Sequence, residues 1–202
     1  MKKFIIIGVI VILGLILFFS GKSSYNGFVS MDQSVEEQWA KVQVQYQRRM
    51  DLIPNIMRTV QGYAAHEKET YEAVTRARAG LSDALTQVDS LKQITPEQTD
   101  AFENYNAAQD RLNKALSIYV NAVREAYPDL KAVGQFDKLS VELEGTENRI
   151  ATERGRYTEI VRQYNTKVKS FPANIWASVF GFSAKPQFQA DAAASQAPTV
   201  QF

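Results

Sequence analysis

The sequence predicts an all-α protein: an N-terminal transmembrane helix followed by a long antiparallel helical bundle of the four-helix type. Three observations lead there. Phe4 to Phe19 contains no polar side chain. From Met31 onward, apolar residues recur at alternating spacings of three and four, which marks helix faces packed on other helices. Glycine and proline are sparse through the middle of the chain, and no segment reads as a strand.

The first element is the anchor. FIIIGVIVILGLILFF would rise about 24 Å as a helix, slightly short of a hydrocarbon layer about 30 Å thick. Interfacial flanks can make up the difference. A cleaved signal peptide fits less well, because the apolar run is long and no A-x-A site follows it. Lys2, Lys3 and the α-amino group precede the run, and Lys22 follows. The positive-inside rule then holds the N-terminus in the cytoplasm and sends the bundle out, to the extracytoplasmic (periplasmic) side.

The bundle helices come next. One apolar series runs Val35, Trp39, Val42, Tyr46, Ile53, Ile56, Val60 and Tyr63, then Val74, Leu81 and Val88. Unbroken, Met31 to Val88 would be nearly 90 Å long. Asp51-Leu52-Ile53-Pro54 is the expected break, with Asp51 as cap and Pro54 in a first turn. A break gives an up-down four-helix bundle and is preferred; a kink gives a long spine carrying a helical hairpin. Thr95-Pro96-Glu97-Gln98 is an expected helix start, with Thr95 capping. The following face is Phe102, Tyr105, Leu112, Leu116, Tyr119 and Val123, closed by Pro128. The last series is Phe136, Leu139, Leu143, Ile150, Tyr157, Ile160, Tyr164 and Phe171, closed by Pro172.

Beyond Pro172, ANIWASVFGF is short, aromatic and uncharged. Ile175, Trp176, Val179 and Phe180 would share a helical face that either caps the bundle or meets the membrane surface. Trp176, Phe180 and Phe182 are the candidate interfacial residues. The remainder is rich in Ala, Gln, Ser and Pro and is expected to be disordered. The organisation predicted is therefore anchor 1–22, bundle 23–182 and disordered tail 183–202.

Composition excludes several chemistries. With Lys2 and Lys3 set aside, 21 basic side chains face 22 acidic ones, so no nucleic-acid footprint is expected. Cysteine is absent, which removes disulfides, thiol catalysis and thiolate metal sites. A di-iron bundle needs Glu-x-x-His pairs; the single histidine is His66, and Tyr63 stands where the glutamate would be. There is no phosphate-binding glycine loop and no serine elbow. Neither a cofactor nor a catalytic set is predicted, and the chain reads as a non-enzyme.

Polar residues nevertheless gather at the helical seams. Arg48, Arg49, Asp51, Asn55, His66, Glu67, Arg76 and Arg78 come from the first half, and Glu144, Glu147, Asn148, Arg149 and Arg154 from the second. Arg49, Glu67, Thr146 and Glu153 take positions where apolar residues would be expected. The expected role is a buried ion-pair network that fixes helix register; a ligand or partner surface is the alternative.

Several long motifs carry a family resemblance: RRMDLIPNIMRTVQGYAAHE and RARA, then AYPDLKAVGQFDKLSVELEGTENRIATERGRY and YNTKVKSFPANIWASVFGF. With these the chain resembles the LemA family across nearly everything after the anchor. Thr152 and Thr158 depart from it, since the family more often has an aliphatic residue and Asn there. The resemblance implies a bacterial single-span membrane protein with a long helical bundle and no established enzymatic role. It also implies a short N-terminus outside, against the charge argument, and an association with membrane organisation or envelope quality control.

Two functions follow as expectations. One is an oligomeric scaffold held to lipid by its N-terminal helix and self-associating through leftover apolar stripe. The other is an adaptor whose tail presents Val200, Gln201 and Phe202 to an envelope partner such as a membrane protease system, by strand addition and carboxylate capture.

Overall fold

The computed structural model describes residues 2–65, 71–91, 94–132 and 134–189. Five α-helices and one 3-10 turn follow in order: α1 (Lys2–Ala64), α2 (Glu72–Asp89), α3 (Thr99–Ala126), the turn Pro128–Ala132, α4 (Gly134–Lys169) and α5 (Ala173–Phe180). No strand occurs among the described residues. Cross-helix pairs set the directions. Gln61 meets Arg78, so α2 runs back along α1. Trp39 meets Phe102 and Tyr63 meets Tyr127, so α3 runs with α1. Arg48 meets Glu142 and Gln38 meets Glu153, so α4 returns antiparallel. The result is an up-down-up-down bundle.

The helix α1 departs from expectation in one respect: it does not break at Pro54, which lies inside it. A proline in a helix interior costs about 3 kcal/mol or more. Ile53 and Ile56 beside it are fully buried, as is Val60 one turn on. Each such side chain contributes about 1.5–3 kcal/mol by leaving water, enough to hold the helix on the core through the proline. Asp51 is therefore not a cap: it is exposed, and its Oδ1 accepts from Gln47 Nε2 at 2.7 Å. The chain reverses instead between Ala64 and Glu72. At 63 residues α1 is about 95 Å long and runs without interruption from the apolar segment into the bundle. The large apolar residues from Phe4 to Phe19 are exposed, and this segment is long and apolar enough to cross a membrane.

The core follows the periodic series. Val35, Trp39, Val42 and Tyr46 of α1 are buried, with Val74, Leu81 and Val88 of α2. From α3 come Phe102, Tyr105, Leu112, Leu116, Tyr119 and Val123, and from α4 Phe136, Leu143, Ile150, Tyr157 and Tyr164. Phe171, the last residue of the α4 series, is instead 81% exposed, because α4 ends at Lys169 and the chain turns there. Thr95 does not cap α3. It starts a turn closed by the Gln98 N–H donating to the Thr95 carbonyl, and α3 begins at Thr99. Tertiary contacts hold that turn: Trp39 Nε1 donates to the Ile94 carbonyl at 3.1 Å, and Glu97 receives a distant lysine.

Residues 183–189 also correct an expectation. They do not form part of a disordered tail but lie against the bundle, with Lys185 buried and Phe188 packed on the core. Among the described residues of α1 beyond its apolar run, α2, α3 and α4, exposed large apolar side chains do not line up in a stripe. The most exposed of them, Val44, Ile118 and Val141, stand singly on α1, α3 and α4.

Candidate functional site

Arg49 is the centre of the polar layer. Its position in the apolar series of α1 points it inward, and only 2% of it is exposed. A buried charge must be paired and hydrogen-bonded. Arg49 Nη1 donates to both carboxylate oxygens of Glu147 on α4, at 3.1 Å each. Its Nη2 donates to the Gln109 carbonyl at 3.2 Å and to Gln109 Oε1, on α3. The guanidinium lies 5.4 Å from the Tyr46 ring centroid. Burial pushes the Tyr46 phenol above its ordinary pKa, so it stays neutral. One side chain thus ties three helices in register.

Two further pairs extend this layer. Arg154 of α4 donates from Nη1 to Asp110 Oδ1 of α3 at 2.7 Å. Gln38 of α1 donates to Glu153 Oε2 at 2.6 Å and to the Glu153 carbonyl at 3.2 Å. Thr146, also on the seam, is satisfied within its own helix by the Glu142 carbonyl.

The expected network is thus divided. Arg49, Glu147 and Arg154 lie within the layer. Asp51 and Asn55 form a local chain on the outer side of α1, where Asn55 Nδ2 donates to the Asp51 carbonyl and Arg58 donates to Asn55. Arg78 is exposed and donates to Gln61 Oε1 at 3.1 Å. Glu144, Asn148 and Arg149 are exposed on α4. Arg48 pairs with Glu142, and Arg76 with Glu72, both on the surface. His66 and Glu67 lie outside the described residues, as do Val200, Gln201 and Phe202. Gln38, Gln109 and Asp110 were not anticipated. Glutamine and aspartate are common on solvated helix faces, so only knowledge of which side of α3 meets Arg49 could single them out.

A second constellation was missed entirely. Lys185 Nζ lies 2.6 Å from Asp32 Oδ1 of α1 and also pairs with Glu97. Asn165 of α4 accepts from the Lys185 N–H and donates to its carbonyl, both at 2.8 Å. Three residues on, Phe188 sits 5.2 Å from Tyr157, 5.4 Å from Phe102 and 4.4 Å from the Arg154 guanidinium. Burial opposes the Lys185 charge, but the Asp32 and Glu97 carboxylates outweigh it and raise the ammonium pKa. The sequence signal was slight: Lys185 and Phe188 interrupt an otherwise small and polar tract.

The third place is where α5 meets α1. Trp176 lies so close to Gly21 that a Cβ there would come within 3.1 Å of its ring. Tyr25 contacts Phe180 and Phe182 edge-on, at 5.1 and 5.9 Å, and Phe28 meets Phe182 at 5.0 Å. Trp176, Phe180 and Phe182 therefore come together just beyond the apolar run of α1. Among the described residues, no group of three or more His, Asp or Glu is placed to hold a metal.

Comparison with known proteins finds relatives over most of the chain. The chain is 27% identical over 176 residues to magnetosome protein MamQ 2 of Paramagnetospirillum magneticum, covering 82% of this chain and 64% of that protein. It is 24% identical over 169 residues to magnetosome protein MamQ of Magnetospirillum gryphiswaldense, covering 78% and 62%. To protein LemA of Metamycoplasma hominis it is 25% identical over 173 residues, covering 86% and 72%. It thus spans less than two thirds of the length of the MamQ relatives. The LemA family model matches residues 38–202, which include the polar layer, Lys185 with Glu97 and Asn165, and α5. On this match the chain belongs to the LemA family.

Proposed function

We propose that this chain is a non-enzymatic, membrane-anchored scaffold that organises membrane or envelope assemblies by self-association. The observation that carries this reading is the unbroken α1. A single helix passes from the apolar segment into the bundle, so the bundle cannot pivot freely on a linker and its tilt follows that of the span. Such stiffness suits a spacer or assembly unit. Self-association is assigned to the segment Phe4–Phe19, whose apolar surface is exposed on all sides. An extracytoplasmic bundle is the reading supported by Lys2 and Lys3 preceding the span.

Cysteine crosslinking in native membranes tests this, since the chain has no cysteine of its own. Single cysteines along Phe4–Phe19 are expected to give dimers with helical periodicity at native expression. Monomers at every position would count decisively against the scaffold. Protease accessibility in spheroplasts tests the side.

A second reading is favoured by the Lys185 contacts. They hold residues 183–189 against the bundle, which suits an adaptor that uses Val200, Gln201 and Phe202 to bind a partner. Deleting residues 198–202 should then remove a defined envelope partner from a pull-down; unchanged partners would sink this reading.

A further inference from the structure

The helix α5 is packed the opposite way from the bundle helices. Its buried residues are the small ones, Ala173 and Ala177. Apart from Trp176, which packs on α1, its large apolar residues face outward: Ile175 is 52% exposed, Val179 65% and Phe180 39%. Phe171, just before it, is 81% exposed. No residue from Phe171 to Ala184 carries a charge. Exposed apolar residues scattered singly need no explanation, but a cluster on one short element does. In water this helix would be turned the wrong way.

Its position explains the inversion. Trp176 and Phe180 share an apolar groove with Leu17, Phe18 and Tyr25, and Leu17 and Phe18 belong to the membrane-spanning run. Gly21, against which Trp176 packs, lies about 3 Å along the helix axis beyond Phe19. The polar headgroup zone extends roughly 5–7 Å beyond each side of the hydrocarbon layer. The contact with α1 therefore holds α5 at the level of the headgroups. Tryptophan and phenylalanine are the side chains that favour this depth. An uncharged helix with an apolar outer face can bury that face in the acyl boundary.

We propose that α5 is a membrane-embedded interfacial helix, with Phe171, Ile175, Val179 and Phe180 inserted into the phospholipid leaflet from which α1 emerges. The bundle is then held to the bilayer at two points, the span of α1 and the outer face of α5. A second contact fixes the rotation of the bundle about α1, which a lone span does not. This inference rests on α1 spanning the bilayer, so its test includes a probe of α1 itself.

The cysteine-free chain allows a direct test. Full-length V179C, I118C and L13C variants would be labelled with an environment-sensitive fluorophore. Each would be reconstituted into phosphatidylcholine–phosphatidylglycerol vesicles containing lipid brominated near the headgroup end of the acyl chain or deeper in it. The V179C probe is expected to emit at shorter wavelength than the I118C probe and to lose most of its emission to shallow bromines. L13C should be quenched by deep bromines, showing that α1 spans. Emission from V179C as water-exposed as that from I118C, with L13C quenched, would overturn the proposal and leave the anchor standing. Shielding of V179C that bromine does not quench, and that fades as the protein is diluted in lipid, would assign the face to a second copy and also overturn it. Both exposed positions tolerate cysteine without loss of packing, so misfolding does not cloud the result.

Discussion

Lys185 Nζ lies 2.6 Å from Asp32 Oδ1, joining a residue near the end of the described chain to the first helix beyond its apolar run. The same ammonium reaches Glu97 in the turn before α3. One buried lysine thus closes the bundle by linking α1, that turn and the segment that follows α5.

This clasp should respond to pH with a definite sign. Burial works against the Glu97 charge, but hydrogen bonds from Lys185 and Thr95 win and lower its carboxyl pKa. A lowered carboxylate contributes stability above its unfolded pKa and loses it as pH falls through the folded value. Lys185, raised, contributes below its unfolded pKa and loses that as pH rises through the folded value. Amide-exchange protection at residues 183–189, taken relative to the intrinsic rate at each pH, should therefore hold between about pH 5 and pH 10 and fall outside that window. Equal protection at pH 3 and pH 7 would contradict this.

Replacing Lys185 by Met should loosen the same segment without unfolding the bundle. Phe188→Ala should cost about 2 kcal/mol, the value of burying a phenylalanine side chain. Limited proteolysis of the full chain in detergent should show earlier cleavage near residue 185 in both variants, with the bundle fragment surviving.

Arg49→Ala should destabilise the bundle by about 3–5 kcal/mol in urea unfolding, because it strips Gln109 and Glu147 of their shared donor. The double variant R49M/Q109L should recover most of that loss, since an apolar replacement of a buried polar set is often neutral or better. If R49A alone is nearly neutral, Arg49 does not hold the helices in register.

Tyr46 gives the opposite expectation. Its hydroxyl is buried and makes no hydrogen bond among the described residues. Removing an unsatisfied polar group is neutral or stabilising. Tyr46→Phe should leave the urea midpoint unchanged or raise it. A loss above about 1 kcal/mol would reveal a partner for that hydroxyl.

Gly21→Leu should displace α5 from α1, because even a Cβ at Gly21 crowds the rigid Trp176 ring. In a Trp39→Phe background Trp176 is the only tryptophan, and its emission reports the contact directly. A shift in that emission with unchanged helical content is the expected outcome.

Much of the fold was legible because its signals are periodic. Val35 to Val60, Phe102 to Val123 and Phe136 to Tyr164 are almost all buried as their spacing required. The polar layer was half legible: an arginine at an apolar position announces itself, as Arg49 does. Its partner Gln109 does not, because glutamine on a helix is ordinary until a buried charge faces it.

The sequence by itself determined the helical class, the anchor, the buried faces and the family, since each is written in composition or in local periodicity. Tertiary structure decided the rest. It carried α1 through Pro54, because burying Ile53, Ile56 and Val60 on the core outweighs one lost backbone hydrogen bond. It drew Lys185 and Phe188 out of a small-residue tract into the bundle, because Asp32, Glu97 and an aromatic cluster wait there. It also turned Ile175 and Val179 of α5 outward, because the face that meets the bundle is taken by Ala173, Ala177 and the Trp176 ring on Gly21. Such outcomes depend on which surfaces meet, and residues distant in the chain settle that only when the helices pack.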